Sequence, residues 1–211
     1  MKKIYHEQLC QESLGEFFSP AALAVITAAN TGQDAILRGF FAHPEFHFDE
    51  SKFDLGWAYV ESQRRIVREV LAGEGPAAEA WAAFGRLLHA VQDFYAHSNY
   101  TRLWAAHYTE DDLPPPAQFD GMNDQLIHNP DLRSGNVYYP LELLTFFDRT
   151  RDWATPRLPA DSHANMNLDY PARGPLFWYA MEGARQRSAH ELQTLLAVLN
   201  ESQKSRFSGK V

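Results

Sequence analysis

The sequence of 211 residues predicts an all-α protein folded as a single domain. Apolar residues recur at helical spacing over long stretches, and the breaks between those stretches fall at proline, glycine or asparagine. No pair of stretches shows the alternation typical of a β-hairpin. With 45% hydrophobic and 22% charged residues, the composition is that of a globular protein with a substantial core. We expect a multi-helix bundle over 1–200 and a frayed tail over 201–211.

The order of the elements follows from their start and stop signals. Ser19 and Pro20 open the second helix, because serine at the N-cap followed by proline is a common helix start. Two long connectors, 109–136 and 154–173, interrupt the bundle, and loops of this length in a compact domain are usually functional. The helices are expected at 5–17, 21–29, 52–71, 76–97, 140–151 and 175–200.

Charge and cysteine content narrow the class of protein. The net charge is −8 without a run of Lys and Arg, which argues against a general nucleic-acid-binding surface. Cys10 is the only cysteine, so no intrachain disulfide or cysteine zinc site can form. The basic start is not followed by an apolar signal segment, and no stretch is long enough to span a membrane. We expect a cytoplasmic protein and leave export by a signal-independent route open.

The segment from Leu88 to Ser98 carries the strongest functional signal. It places His89, Asp93 and His97 four residues apart in a predicted buried helix, so their side chains lie nearly above one another. Neutral imidazoles and a carboxylate are ligands of zinc and related divalent ions. At about 1.5 Å rise per residue, His89 and His97 are roughly 12 Å apart along the axis, which favours several ions over one. A hydrogen-bonded buried cluster without metal is the alternative.

This motif with its flanks, from Gly85 to Tyr100, resembles the signature of Het-C-type (heterokaryon incompatibility) proteins. Those proteins resemble in turn the all-α zinc-dependent phospholipase C and S1/P1 nuclease superfamily. Other segments occur in the order that this resemblance implies: His6-Glu7, Asn30 with Asp34, His47-Phe48-Asp49, and His163 with Asn167-Leu168-Asp169. By position, it implies metal ligands at His6, Asp34, His47, His89, Asp93, His97, His163 and Asp169. It implies one to three zinc ions, with calcium or manganese an open choice at a carboxylate-rich position.

The residues and the resemblance together predict a metal-dependent hydrolase of phosphoric esters, of phospholipase or phosphodiesterase type. The metal would activate a water for attack on phosphorus, and Asp34 or Asp49 would act as the base. Asp49 is alternatively a metal ligand or an acceptor for His47. The expected partner is a small-molecule or lipid phosphodiester, while peripheral membrane contact and oligomeric state are left open. The alternative function is a non-catalytic Het-C-type toxin, effector or interaction protein with structural metals.

Overall fold

The computed structural model describes residues 1–35, 43–109 and 111–210, and over these residues the predicted all-α class is confirmed. No β-strand occurs in these ranges, which contain only two isolated β-bridges. Nor does any helix in this part of the chain have the length and apolarity needed to cross a bilayer. The α-helices are α1 (Lys3–Leu14), α2 (Pro20–Thr31), α3 (Phe53–Ala72), α4 (Ala77–His97), α5 (Tyr100–Ala105), α6 (Asp124–Ile127), α7 (Asp148–Ala154), α8 (His163–Met166), α9 (Leu176–Leu196) and α10 (Glu201–Ser208).

Helix α4 lies at the centre of the bundle. It packs against α2, α3 and α9, and every residue from Leu87 to His97 is buried. A helix that is covered on all sides can hold polar side chains only where they find partners inside the protein. The His89–Asp93–His97 ladder therefore lies in the interior, as the sequence predicts.

The start of α2 agrees with the prediction, but its end does not. The Ser19 side chain accepts a hydrogen bond from Ala22 N at 3.2 Å, as an N-cap does. The helix continues past the predicted stop to Thr31, and Gly32 is its C-cap. Asn30, one residue past the predicted end, lies within the helix, where it is buried and donates a hydrogen bond to Gln92.

The helix predicted over 140–151 is divided in two. A 3-10 turn covers Leu141–Phe146, and Phe147 is extended, with φ −100° and ψ 124°, before α7 begins. Threonine hydroxyls donate hydrogen bonds to backbone carbonyls at the break. Thr150 Oγ1, for example, donates to Leu144 O at 2.6 Å. Such side-chain bonds to the backbone compete with a continuous helix, which explains the difference.

The frayed tail predicted over 201–211 is wrong as far as Ser208, because α10 occupies it. Asn200 and Gln203 form a capping box at the start of this helix. Phe207 is fully buried, and Trp81 Nε1 donates to its carbonyl oxygen at 2.7 Å. Arg206 also docks the helix, since its guanidinium donates to the carbonyl oxygens of Leu71, Gly73 and Gly75, and neither anchor produces a periodic apolar pattern. Val211 lies outside the described residues.

Candidate metal centre

Five histidines and four aspartates from separate segments meet around the second half of α4. They include every residue that the sequence analysis assigned to the site: His6, Asp34, His47, Asp49, His89, Asp93, His97, His163 and Asp169. The structure thus brings together side chains up to 163 positions apart in the chain. Their role as metal ligands stays a prediction.

Four of these residues form what we call the first group: Asp34, His47, His89 and Asp93. His47 Nδ1 lies 2.9 Å from Asp93 Oδ2 and 3.1 Å from His89 Nε2, and the last two atoms are 3.1 Å apart. Asp34 Oδ1 lies 3.6 Å from His89 Nε2 and 4.0 Å from His47 Nδ1. Atoms bound to one zinc ion at about 2.0–2.2 Å are separated by roughly 3 to 3.5 Å. The first group has close to this spacing.

Asp49, His97 and His163 form the second group. His97 Nδ1 lies 3.3 Å from Asp49 Oδ1, and His97 Nε2 lies 3.4 Å from His163 Nε2. Asp169 is adjacent, with Oδ1 3.2 Å from His97 Nε2. The alternative role of Asp49 as an acceptor for His47 is not observed, because its carboxylate lies beside His97. Two groups at successive levels of one helix agree with the spacing argument for more than one ion.

Several buried nitrogen and oxygen atoms of the cluster have no hydrogen-bond partner within the described ranges. They are His6 Nε2, His89 Nδ1 and both carboxylate oxygens of Asp49. The Asp49 side chain is 1% exposed, so water does not satisfy it from outside. A buried carboxylate is costly to the fold unless a cation lies beside it, and either the protonated His97 ring, 3.3 Å away, or a bound metal ion can supply that charge to Asp49. The donor set and its burial therefore fit a bound metal ion.

The α-amino group of Met1 reaches the same cluster. It donates to Asp93 Oδ1 at 2.5 Å and lies 3.0 Å from Asp169 Oδ1. Burial lowers the pKa of this amino group, but the Asp169, Asp93 and Asp34 carboxylates outweigh burial and raise it to about 11. The ammonium thus places one positive charge between two carboxylates.

The pKa shifts show which site groups are charged. Burial lowers the pKa of His89 to about 4 and also lowers the pKa of His163, so both imidazoles are neutral near pH 7, as metal ligands must be. Burial acts to lower the pKa of His97 too, but Asp93 and Asp49 raise it well above its usual value, so this imidazole is protonated near pH 7 and must release its proton to bind a metal ion. Burial alone would raise the pKa of Asp93, yet the Met1 ammonium and the neighbouring histidines hold it well below its usual range.

The loop that carries His47 and Asp49 has a strained backbone. Phe48, Glu50 and Ser51 have φ values of 55°, 57° and 54°, in the left-handed region that non-glycine residues rarely adopt. Such strain is kept only where the surroundings fix the chain, and it is common at functional sites.

A buried aromatic side chain anchors this loop. The Phe48 ring packs 4.7 Å from Trp57 and 5.4 Å from Phe94, measured between centroids. Gly56 makes room for the ring, since a Cβ at that position would lie 2.4 Å from a Phe48 ring carbon. The aromatic cluster therefore sets where His47 and Asp49 point.

A short part of the first connector joins three ligand-bearing segments. Ser134 Oγ accepts from Ser51 N at 2.7 Å, and Gly135 N donates to His97 O at 3.2 Å. His163 N donates to Asn136 O at 2.8 Å. This Ser-Gly-Asn run has a turn-forming composition, which in the sequence gives no signal of which segments it joins.

A pocket of about 690 Å³ opens beside the second group. His97, His163, Asp169 and Asp34 line its inner part. The rest of the lining contains apolar and basic side chains, together with a few polar ones and one acidic one: Met1, Leu143, Phe146, Phe147, Pro156, Ala164 and Tyr170; Lys2, Lys3, Arg151 and Arg173; Thr145, Thr155 and Asn167; and Asp152. The cluster is therefore buried but can be reached from one side.

Fold and site define an all-helical domain with a buried histidine–aspartate centre beside a pocket. The chain belongs to the VWA7 N-terminal domain family, whose family model matches residues 1–125. It is similar to von Willebrand factor A domain-containing protein 7 of Mus musculus, with 36% identity over 88 residues, and of Rattus norvegicus, with 35% over 85. Each alignment covers 39% of this chain and only 9% of the relative. No solved structure gives a significant match.

The expected relationship to Het-C-type proteins and to the phospholipase C and S1/P1 nuclease superfamily is therefore wrong. The family model and both relatives point to the VWA7 N-terminal domain instead. We therefore withdraw the Het-C-type toxin or effector role and the phospholipase C-like description. The family gives no support for hydrolase chemistry or for zinc. The His89–Asp93–His97 ladder is misleading about the family, because any helix that presents three polar ligands on one face has this short pattern.

Proposed function

We propose that this domain binds divalent metal ions at two positions along α4, one in the first group and one in the second. The observation that carries this proposal is the triangle of His47 Nδ1, His89 Nε2 and Asp93 Oδ2, whose three sides are 2.9, 3.1 and 3.1 Å. All three side chains are fully buried. A cation between the three atoms can accept a lone pair from each of them, which accounts for their convergence.

Zinc is the ion that the first group fits best. Two imidazole nitrogens with carboxylate oxygens form a common zinc ligand set, and Asp34 can complete a fourfold arrangement. With Asp169 included, half of the second group's ligands are carboxylates, as in the first group, so manganese or calcium is an alternative to zinc at that position. His6, whose Nε2 lies 3.2 Å from Asp93 Oδ1, is a further candidate ligand.

Hydrolysis of a phosphoric ester stays a prediction, supported by the chemistry of the site alone. A divalent ion polarises a phosphoryl oxygen and lowers the pKa of a water that it holds. Asp34 lines the pocket and its side chain is 31% exposed, so it can accept a proton from such a water. Asp49 is fully buried and does not line the pocket, which favours a ligand role over that of a base.

The alternative is that the ions are purely structural and hold α1, α4 and the connectors together. Protein ligands would then fill every coordination position, and the domain would bind metal without turnover. The pocket beside the second group favours an accessible centre. Cytoplasmic location and peripheral membrane contact also stay predictions.

Elemental analysis of untagged protein tests the proposal. We expect about two metal equivalents per chain and a loss of at least one in the His89→Ala/Asp93→Ala variant. His128→Ala/Asp124→Ala is the matched control, because it removes an exposed His–Asp pair with the same four-residue spacing. Circular dichroism shows whether each variant keeps its helices. Absence of metal from folded wild-type protein, after incubation with zinc, would overturn the proposal.

A further inference from the structure

We propose that the pocket beside the second group recognises a small organic phosphate with an apolar chain, its oxyanion held by Arg173 and its chain by the apolar wall. This inference rests on the proposed function only for the metal ions, which would contribute positive charge at the inner end of the pocket.

Arg173 is held in place without being neutralised. Its Nε donates to Asn167 O at 2.8 Å and its Nη2 donates to Asn165 O at 2.7 Å. Both acceptors are backbone carbonyls, and no carboxylate of the described residues lies within salt-bridge distance of this side chain. A guanidinium fixed in this way is suited to binding phosphate through its remaining donors.

The surroundings of Arg173 carry a local excess of positive charge. Burial and the charge of Arg173 lower the pKa of nearby Arg102, whose Nη1 donates to Met166 O. Lys2 also lines the pocket, with its Nζ 4.0 Å from the centroid of the Tyr170 ring. Although the whole chain has a net charge of −8, this side of the pocket attracts anions.

Another part of the lining is apolar and partly open to solvent. Leu143, Phe147, Pro156 and Ala164 contribute to it. Phe147 is 59% exposed, and the break between the 3-10 turn and α7 places it at the pocket. Large exposed aromatic side chains beside a concave surface are typical of ligand sites.

The volume of the pocket and the distribution of charge along its lining together define the class of ligand. A volume of about 690 Å³ is in the range of small-molecule sites. Inorganic phosphate would leave the apolar wall uncovered, and an apolar cation would be repelled by Arg173 and by the metal ions. A phosphate with a short alkyl or aryl group satisfies both parts of the lining.

Isothermal titration calorimetry of the metal-loaded protein tests this inference. Hexyl phosphate should bind roughly tenfold or more tightly than inorganic phosphate, because its chain buries apolar surface. Hexyltrimethylammonium, with the same chain and the opposite charge, should not bind. Arg173→Gln should weaken hexyl phosphate binding about tenfold. Phe147→Ser should weaken it several-fold.

Two matched variants serve as controls. Arg133→Gln removes another arginine that donates to backbone carbonyls, outside the pocket, and Val198→Ser removes another exposed apolar side chain. Both should bind hexyl phosphate as wild type does. Metal content should stay unchanged in Arg173→Gln and Phe147→Ser, so that loss of ligand binding is separated from loss of metal.

Three outcomes would overturn the inference: equal affinity for phosphate and hexyl phosphate, no effect of Arg173→Gln beyond that of Arg133→Gln, or binding to phosphatidate-containing vesicles without binding to monomeric hexyl phosphate. If the protein takes up no metal yet binds hexyl phosphate through Arg173, the proposed function fails and the pocket assignment stands.

Discussion

Gln92 Oε1 lies 2.7 Å from His6 Nδ1 in the buried centre of the bundle. The orientation of the Gln92 amide is fixed, because its Nε2 donates to Ser188 Oγ and its Oε1 accepts from Asn30 Nδ2, each at 3.0 Å. His6 Nδ1 must therefore carry a proton and donate it to Gln92, which leaves Nε2 as the ring nitrogen available to a metal ion. Nε2 lies 3.2 Å from Asp93 Oδ1, at the cluster.

Replacement of Gln92 by leucine is expected to weaken metal binding about ten- to hundredfold, because His6 loses the partner that fixes its tautomer. Competition with a chromophoric chelator measures the affinity, and ¹⁵N chemical shifts of the histidine ring report the tautomer in metal-free protein. Gln63→Leu is the control, since Gln63 is also buried but accepts from Arg86 away from the site. Unchanged affinity and an unchanged tautomer in Gln92→Leu would show that Gln92 is only a packing residue.

Replacement of Gly56 by alanine is expected to displace the Phe48 ring and, with it, the loop that carries His47 and Asp49. We expect a loss of about 1–3 kcal/mol in the free energy of unfolding, together with weaker metal binding. Gly75→Ala is the control, because a Cβ there would meet no atom within 4 Å. Urea denaturation and metal titration measure the two effects. Equal behaviour of the two alanine variants would contradict the anchoring role of Phe48.

Replacement of Glu191 by alanine is expected to destabilise the contact between α3 and α9. Glu191 is fully buried and accepts from Arg64 Nη2 at 2.6 Å and from Arg187 Nε at 2.8 Å. Loss of the carboxylate leaves Arg187 without this ion-pair partner and leaves Arg64 paired only with the exposed Glu61, so the free energy of unfolding should fall by about 3 kcal/mol. Glu182→Ala, which removes a partner of the more exposed Arg185, should cost less than about 1 kcal/mol. Similar losses in the two variants would argue against a buried network.

The Cys10 thiol is expected to resist alkylation in the folded protein. Burial raises its pKa to about 12, so the reactive thiolate is scarce at pH 8 and increases only as the pH approaches that value. In denatured protein the thiolate forms around a pKa of about 8.5. Iodoacetamide labelling at pH 8 should therefore be far slower in buffer than in guanidinium chloride. Equal labelling rates in buffer and in guanidinium chloride would show that α1 does not pack closely enough against α2 to shield the thiol.

Much of the fold follows from the sequence, and the exceptions have local causes. The boundaries of α3 and α4 are close to those predicted, because apolar periodicity is strong and Gly73 and Pro76 mark the break between them. The division after Phe146 depends on hydroxyl-to-backbone bonds, and the docking of α10 depends on Phe207 and Arg206. Neither produces a periodic pattern.

The membership of the site was easier to predict than its arrangement. The ladder on α4 follows from helix geometry, so His89, Asp93 and His97 could be grouped from spacing alone. The proximity of His163 and Asp169 came only from a family resemblance that proved wrong, although both residues do lie beside His97. The partner of Asp49 depends on the strained loop at Phe48, and the role of Gln92 depends on contacts among four helices. Single-sequence patterns contain neither kind of information.

X-ray anomalous scattering at the zinc edge, from crystals grown with zinc, tests most directly whether α4 carries two metal ions. We expect two peaks along α4. One should lie about 2.0–2.2 Å from His47 Nδ1, His89 Nε2 and Asp93 Oδ2, and the other should lie among Asp49, His97 and His163. Crystals that show intact helices and no anomalous peak at either position would contradict this expectation.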